Sequence, residues 1–295
     1  MDATLIFLLC ILPATVLLGA YEVLIKKLLN TGINERFLLS LIFGFAGVII
    51  LIVSSIVGFP EIKDGFLIAF IGTSVLNTFA MWFWYRAIQQ ENVSIISPIR
   101  LISSPLILLT SFFILGEKPN IWGIAGVFII VVGLWLLLDT RIEIKKVSFK
   151  KIAKYSGIWF AFLGAILFAF SFPLDKQAVV SSSSLFSASL VFITVSILNF
   201  IIGYITSKNK NKFCIIPKSV GFLLPLIILV FAVGSVLALE SLNYSLAGYA
   251  SSVKRLSVLW AVIFSGVFLQ ERKYEKRIMA TIIMLLGLFL MVFFG

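Results

Sequence analysis

Two stretches decide how this chain is built: 94-SIISPIRLISSPLILLTSFFILGEKPNIWGIAGVFIIVVGLWLLL-138 and 248-GYASSVKRLSVLWAVIFSGVFLQERKYEKRIMATIIMLLGLFLMV-292. A shift of 154 residues lays one on the other without a gap. Ser97 falls on Ser251, Arg100 on Lys254, Glu117 on Glu271 and Gly133 on Gly287. Two apolar runs can match by composition alone, but a base, an acid and a glycine at one register mark a repeat. Each stretch holds two apolar runs of about 20 residues, the length that crosses the hydrocarbon of a bilayer. Outward from them the pattern continues. Ten such runs lie at 3–25, 37–58, 65–88, 93–115, 120–138, 156–176, 185–206, 219–242, 248–269 and 277–294. Barrel strands would be alternating segments of about 10 residues, whereas these runs are apolar on all sides. Each half then has five spans, and an odd number makes the second half enter the membrane with the opposite orientation. The predicted fold is an all-α polytopic membrane protein of ten transmembrane helices in two inverted five-helix repeats. The repeats occupy 1–140 and 156–295, with a basic connecting loop at 141–155. Inverted repeats of this kind give alternating-access transporters their two equivalent states.

Composition leaves few other classes open. Of 295 residues, 61% are hydrophobic, 13% are charged and none is histidine. A soluble domain is about 45–50% apolar and about 25% charged, so there is too little polar surface here to coat a water-facing body. The net charge of +11 sits in short segments between apolar runs and does not suggest nucleic-acid binding. Without histidine, and with only Cys10 and Cys214 in unlike contexts, no triad, metal site or disulfide framework is expected. No nucleotide-binding loop and no clustered polar motif occurs, so the chain reads as neither an ATP-driven pump nor an enzyme, and no cofactor is expected. The N-terminus, Met1-Asp2-Ala3, lacks the basic region of a secretory signal. The localisation expected is the cell (inner) membrane, as a multi-pass integral protein.

Loop charge sets an orientation. Eighteen lysines and arginines fall in the segments after spans 1, 3, 5, 7 and 9, among them Lys26, Lys27, Arg36 and Arg86, while only Lys63, Lys118 and Lys176 fall on the other side. Positive loops stay in the cytoplasm, which places both termini outside.

The small-residue approach to each turn, Leu115-Gly116-Glu117 or Leu269-Gln270-Glu271 at the turn itself, and the glycine-bearing span that follows resemble the EamA-type drug/metabolite transporter superfamily. The resemblance covers essentially the whole chain; the second copy departs from the Gly-Glu pattern at Gln270. It implies a secondary carrier of small molecules. The Lys254-Arg255 pair is also similar to the Lys-Arg pair of the sugar-phosphate and nucleotide-sugar branches, where the resemblance implies contact with anionic substrate groups. Relatives in the nucleotide-sugar branch place both termini in the cytoplasm, opposite to the loop count.

An ionisable residue within a span costs roughly 2.5–3.5 kcal/mol on insertion scales and is a functional candidate for that reason. Five are expected there: Glu22, Arg100, Glu240, Lys254 and Arg255. Arg100 and Lys254 sit about six residues into their spans, roughly 9 Å along the axis, and inversion brings them toward the midplane from opposite faces. Two readings stand: an electropositive cavity for a phosphate or carboxylate, or Glu22 or Glu240 pairing with these bases to lock the bundle. Glu22 and Glu240 are also the candidate proton carriers, since desolvation favours a carboxyl's protonated form. Trp82, Trp84 and Tyr85, with Asn77 before them, form either an interfacial belt or the wall of a cavity for a ring-bearing substrate. Glu117 and Glu271 read as structural acids, Glu117 at the start of the fifth span. Pro98, Pro105, Pro173 and Pro225 read as bends. The function expected is alternating-access transport of a small metabolite with an anionic group; the alternatives are a proton-coupled exporter of neutral or cationic compounds and a lipid-head-group flippase. The partners expected are the bilayer, the substrate and a coupling proton. No nucleic acid is expected, and the sequence leaves the oligomeric state open.

Overall fold

The computed structural model describes residues 2–90, 99–139, 156–207, 210–217, 220–221, 223–269 and 275–294. The regular elements among those residues are all helices, joined by short turns, without strands. We number the main helices α1 Ala3–Leu29, α2 Glu35–Val57, α3 Phe66–Gln90, α4 Ser103–Leu115, α5 Ile121–Asp139, α6 Ser156–Val180, α7 Ser184–Thr206, α8 Leu223–Glu240, α9 Ala247–Lys254, α10 Ser257–Leu269 and α11 Glu275–Phe294. Helix is what a bilayer permits, because every backbone polar group must then be satisfied within its own segment.

Local sequence sets the ends. The Asn34 side chain accepts from the N–H groups of Arg36 (3.0 Å) and Phe37 (3.2 Å) to open α2, and the Ser183 hydroxyl accepts from Phe186 N–H to open α7. Gly116 ends α4 at φ 67°, a left-handed conformation that glycine adopts without a Cβ penalty.

Ten spans were expected. Among the described residues seven helical runs are long and apolar enough to cross a membrane, and three more apolar runs are shorter: Ser103–Leu115, Ile121–Gly133 and Met279–Leu290. In the fourth run a 3-10 turn, Arg100–Ile102, precedes α4, and residues 93–98 lie outside the described residues. The ninth, Ala247–Phe268, is long but discontinuous. It breaks after Lys254, where Leu256 N–H reaches back only to Val253 O (2.9 Å) and Val258 N–H to Arg255 O (2.9 Å). Both matched bases therefore lie at irregular helix turns.

The main packing pairs α3 with α6, α2 with α7, α5 with α11 and α1 with α8. Small residues allow the close approaches, as membrane interfaces require. A Cβ at Gly287 would lie 2.8 Å from Gly126 O and 2.9 Å from Ile130 N, and one at Gly133 2.8 Å from Met284 Cγ. The two glycines that matched in the repeat thus serve the same α5–α11 interface. Phe231 of α8 joins the core of the other half, with ring centroids 4.5 Å from Phe43 and 4.9 Å from Tyr21.

Of the prolines expected as bends, two sit at helix starts. Pro105 and Pro225 sit in the first turns of α4 and α8, where no helical N–H is lost. Pro173 lies inside α6 and cannot donate to Ala169 O; the Thr110 hydroxyl from α4 donates to that carbonyl instead, at 2.6 Å. Pro98 lies outside the described residues.

Candidate substrate site

A cavity of about 90 Å³ lies between the two halves, lined from α1, α2, α3, α6, α7, α8 and the two irregular turns. Arg100, Lys254 and Arg255 all line it, as do Asn77 and Asp175. The walls between these polar groups are largely aromatic, including Trp84, Phe168 and Phe172.

Each base is held differently. Arg100 donates to Glu22 at 2.6 Å, and the Glu22 side chain is only 3% exposed. The Arg100 guanidinium also lies over Trp84 (4.5 Å) and Phe168 (4.9 Å), where ring faces attract a cation. Lys254 Nζ sits 5.4 Å from the Phe172 ring centre. Arg255 is buried and donates to Ser103 Oγ at 2.5 Å, and its Nε has no hydrogen-bond partner. Among the described residues no carboxylate is in ion-pair contact with Lys254 or Arg255.

Asp175 was absent from the sequence candidates. The sixth span was expected at 156–176, with Lys176 counted among the loop charges, so Asp175 fell at its very end; α6 runs on to Val180. Thr73 and Asn77 donate to Asp175 Oδ1, Asn77 at 3.2 Å, and Ser171 shares a 3.0 Å hydrogen bond with Thr73. The absence of any charge from 156 to 174, with Ala-Val-Val beyond Gln177, was the available signal. The neighbouring Lys176 points elsewhere, pairing with Glu117 at 2.5 Å.

The arrangement is an intramembrane cavity with a cationic pole, a carboxylate held by hydroxyl and amide donors, and aromatic walls. The EamA-like transporter family matches the sequence over residues 5–139 and again over 155–293. The chain belongs to the EamA-like transporter family. It is a membrane transporter, a multi-pass integral membrane protein of the drug/metabolite transporter superfamily. A solved structure described as "Crystal structure of protein" superposes with a TM-score of 0.73 at 14% identity, covering 98% of this chain and 94% of that one. At that identity the likeness is one of fold. No curated protein matches the sequence.

In this EamA-like transporter, not every sequence candidate reaches the cavity. Trp84 lines it, but Trp82 does not; Trp82 lies under the Arg36 guanidinium, 4.0 Å from ring centre to Cζ. Arg36 also donates to Asn199 at 3.2 Å, and beside it Arg86 pairs with Glu35 at 2.7 Å. Tyr85 stands behind the wall, sharing a 2.5 Å hydrogen bond with Tyr21, which lines the cavity. Glu22 faces Arg100 and not the cavity surface. Glu240 ends α8 away from the cavity, where Ser184 and Tyr244 (3.3 Å) donate to it. Glu117 is structural as expected, but at another helix. The left-handed turn at Gly116 carries it to the start of α9, where it accepts from Ala247 N–H at 2.9 Å. Glu271 and Ser97 lie outside the described residues.

Proposed function

We propose that this EamA-like transporter moves a small metabolite with an anionic group by alternating access of two inverted five-helix halves, 1–140 and 156–295. The observation that carries the anionic assignment is Arg255. Its guanidinium is buried against the cavity beside Lys254 with a hydroxyl, and no carboxylate, as partner among the described residues. A buried charge without a counter-charge is costly, and a bound phosphate or carboxylate removes that cost. Arg100, Lys254 and Arg255 outnumber the two acids nearest them, Glu22 and Asp175.

Packing supports the inverted halves. Exchanging the first five spans with the last five turns the α1–α8 contact into the α6–α3 contact and leaves α2–α7 and α5–α11 in place. These four are the main helix pairs. The exchange also carries Arg100 to Lys254, 154 residues on, and Glu22 to Asp175, one residue short of that register. One acid–base pair is then closed and its counterpart open. An alternating cycle requires two such arrangements of related elements.

The test is isothermal calorimetry of phosphorylated and carboxylated compounds against Lys254→Gln and Glu240→Gln. Binding should be lost in Lys254→Gln and retained in Glu240→Gln. Undiminished affinity in Lys254→Gln would sink the anion site and favour the rival, an exporter of neutral or cationic compounds in which Glu240→Gln abolishes transport.

The loop charges also support the orientation with both termini outside. A single cysteine placed in the 143–150 loop should stay unlabelled by an impermeant reagent added to intact cells. Efficient labelling there would reverse the orientation.

A further inference from the structure

We infer that Asp175 is the site of a coupling proton, taken up when an anion occupies Lys254 and Arg255, so that substrate and proton cross together. The inference rests on the anionic reading above. Of the acids within the spans, Asp175 alone among the described residues lines the cavity. Glu22 is closed onto Arg100 and Glu240 is held by Ser184 and Tyr244.

The charges around Asp175 define the event. Lys254 of α9 shares the cavity with it but is not in ion-pair contact with it. Arg100 and Arg255, at the turns before α4 and after α9, line the same space. From α1 comes Glu22, engaged with Arg100. Lys176, next along α6, is turned to Glu117. Of the helices packed on α6, α3 offers Asp175 neutral donors, Thr73 and Asn77, while Arg86 at the far end of α3 is paired with Glu35 and α4 sends Thr110 to Ala169 O. In the empty cavity Lys254 is therefore the main counter-charge of Asp175. An anion bound to Lys254 and Arg255 takes that counter-charge and sets a second negative charge beside the carboxylate. Two like charges in low dielectric disfavour both being ionised. Protonation of the carboxylate by water-borne H⁺ removes the repulsion. The proton leaves again when the anion departs on the other side and Lys254 turns back.

A metal cation fits less well. The Asn77 amide nitrogen donates both to Asp175 Oδ1 and to Thr73 Oγ1 (2.9 Å), so donors already occupy two of the oxygens a cation would use. Lys254 would also repel a cation.

The probe is benzoate, a carboxylate on an aromatic body that does not itself titrate near neutrality. Calorimetry of the purified full-length protein in buffers of different ionisation enthalpy counts the protons bound. Benzoate should take up close to one proton, and its affinity should fall about tenfold per pH unit as pH rises above neutrality, the limit set by one linked proton. Asp175→Asn should bind benzoate with no proton uptake and no pH dependence, while Asp175→Glu keeps both. The proton count on the wild-type protein needs no variant, so the test holds even where Asp175→Asn fails to fold. Benzoate binding without proton uptake overturns the coupling and leaves the anion site standing. So does uptake that persists in Asp175→Asn, or binding that requires sodium instead of protons. No benzoate binding at all overturns the anion site, and the coupling with it.

Discussion

Replacing Glu22 by glutamine is expected to cost the folded protein about 3–5 kcal/mol, the usual result of removing one partner from a buried ion pair. Glu22 is nearly inaccessible and its carboxylate meets the Arg100 guanidinium at 2.6 Å. Glutamine preserves the length of the side chain but leaves Arg100 with the rings of Trp84 and Phe168 as its main neutral supports. Arg100 Nε already lacks a hydrogen-bond partner, so the guanidinium has little left to satisfy it. The measurement is denaturant unfolding in detergent, with Arg100→Met and the double variant completing a cycle. The double variant should be less destabilised than Glu22→Gln alone, because it leaves no unpaired charge. A coupling energy below about 0.5 kcal/mol, within the range of independent sites, would mean that the pair does not hold the bundle.

The second large effect is steric. Gly287→Leu should drive α11 away from α5 and cost about 1–3 kcal/mol or more, as overpacking of a close interface does. The first added carbon would already lie 2.8 Å from a backbone oxygen, Gly126 O, and 2.9 Å from a backbone nitrogen, Ile130 N. Backbone cannot rotate aside as a flexible side chain can. Gly133→Leu meets a side chain first, Met284 Cγ at 2.8 Å, with its nearest backbone atom, Ala280 O, farther off at 3.1 Å, and should be milder. Thermal unfolding of the two variants should rank them in that order. Equal and negligible losses would contradict the close packing of α5 on α11.

Residue type and spacing in the chain were enough for several conclusions. Too few charged residues to coat a soluble body, and apolar runs of bilayer length, left helices in a membrane as the solution the backbone allows. The 154-residue register picked out Gly133 and Gly287, which meet at one interface, and Arg100 and Lys254, which line one cavity. Arg255 was legible on another ground, since a base within an apolar run has to face something other than lipid.

Facing was a different matter. In a soluble helix a polar stripe reports which side turns outward. Here the lipid side and the packed side are both apolar, so the rotation of each helix leaves little trace in its sequence. That is why Trp82 and Trp84 could not be told apart. Residues two positions apart on a helix point about 200° apart, and packing of α3 on α6 sends Trp84 to the cavity and Trp82 to Arg36. Asp175 was overlooked because a charged pair at the end of an apolar run shows no facing until its neighbours are known. Those neighbours, Thr73 and Asn77, lie about a hundred positions away in the chain. Glu117 likewise lies 130 positions from the α9 N-terminus it caps, and Glu22 lies 78 positions from Arg100, which it pairs with rather than with Lys254 or Arg255. Hydropathy, length and register belong to each segment and are written locally. Which charge meets which depends on helices from both halves arriving at one place, and only the tertiary structure decides it.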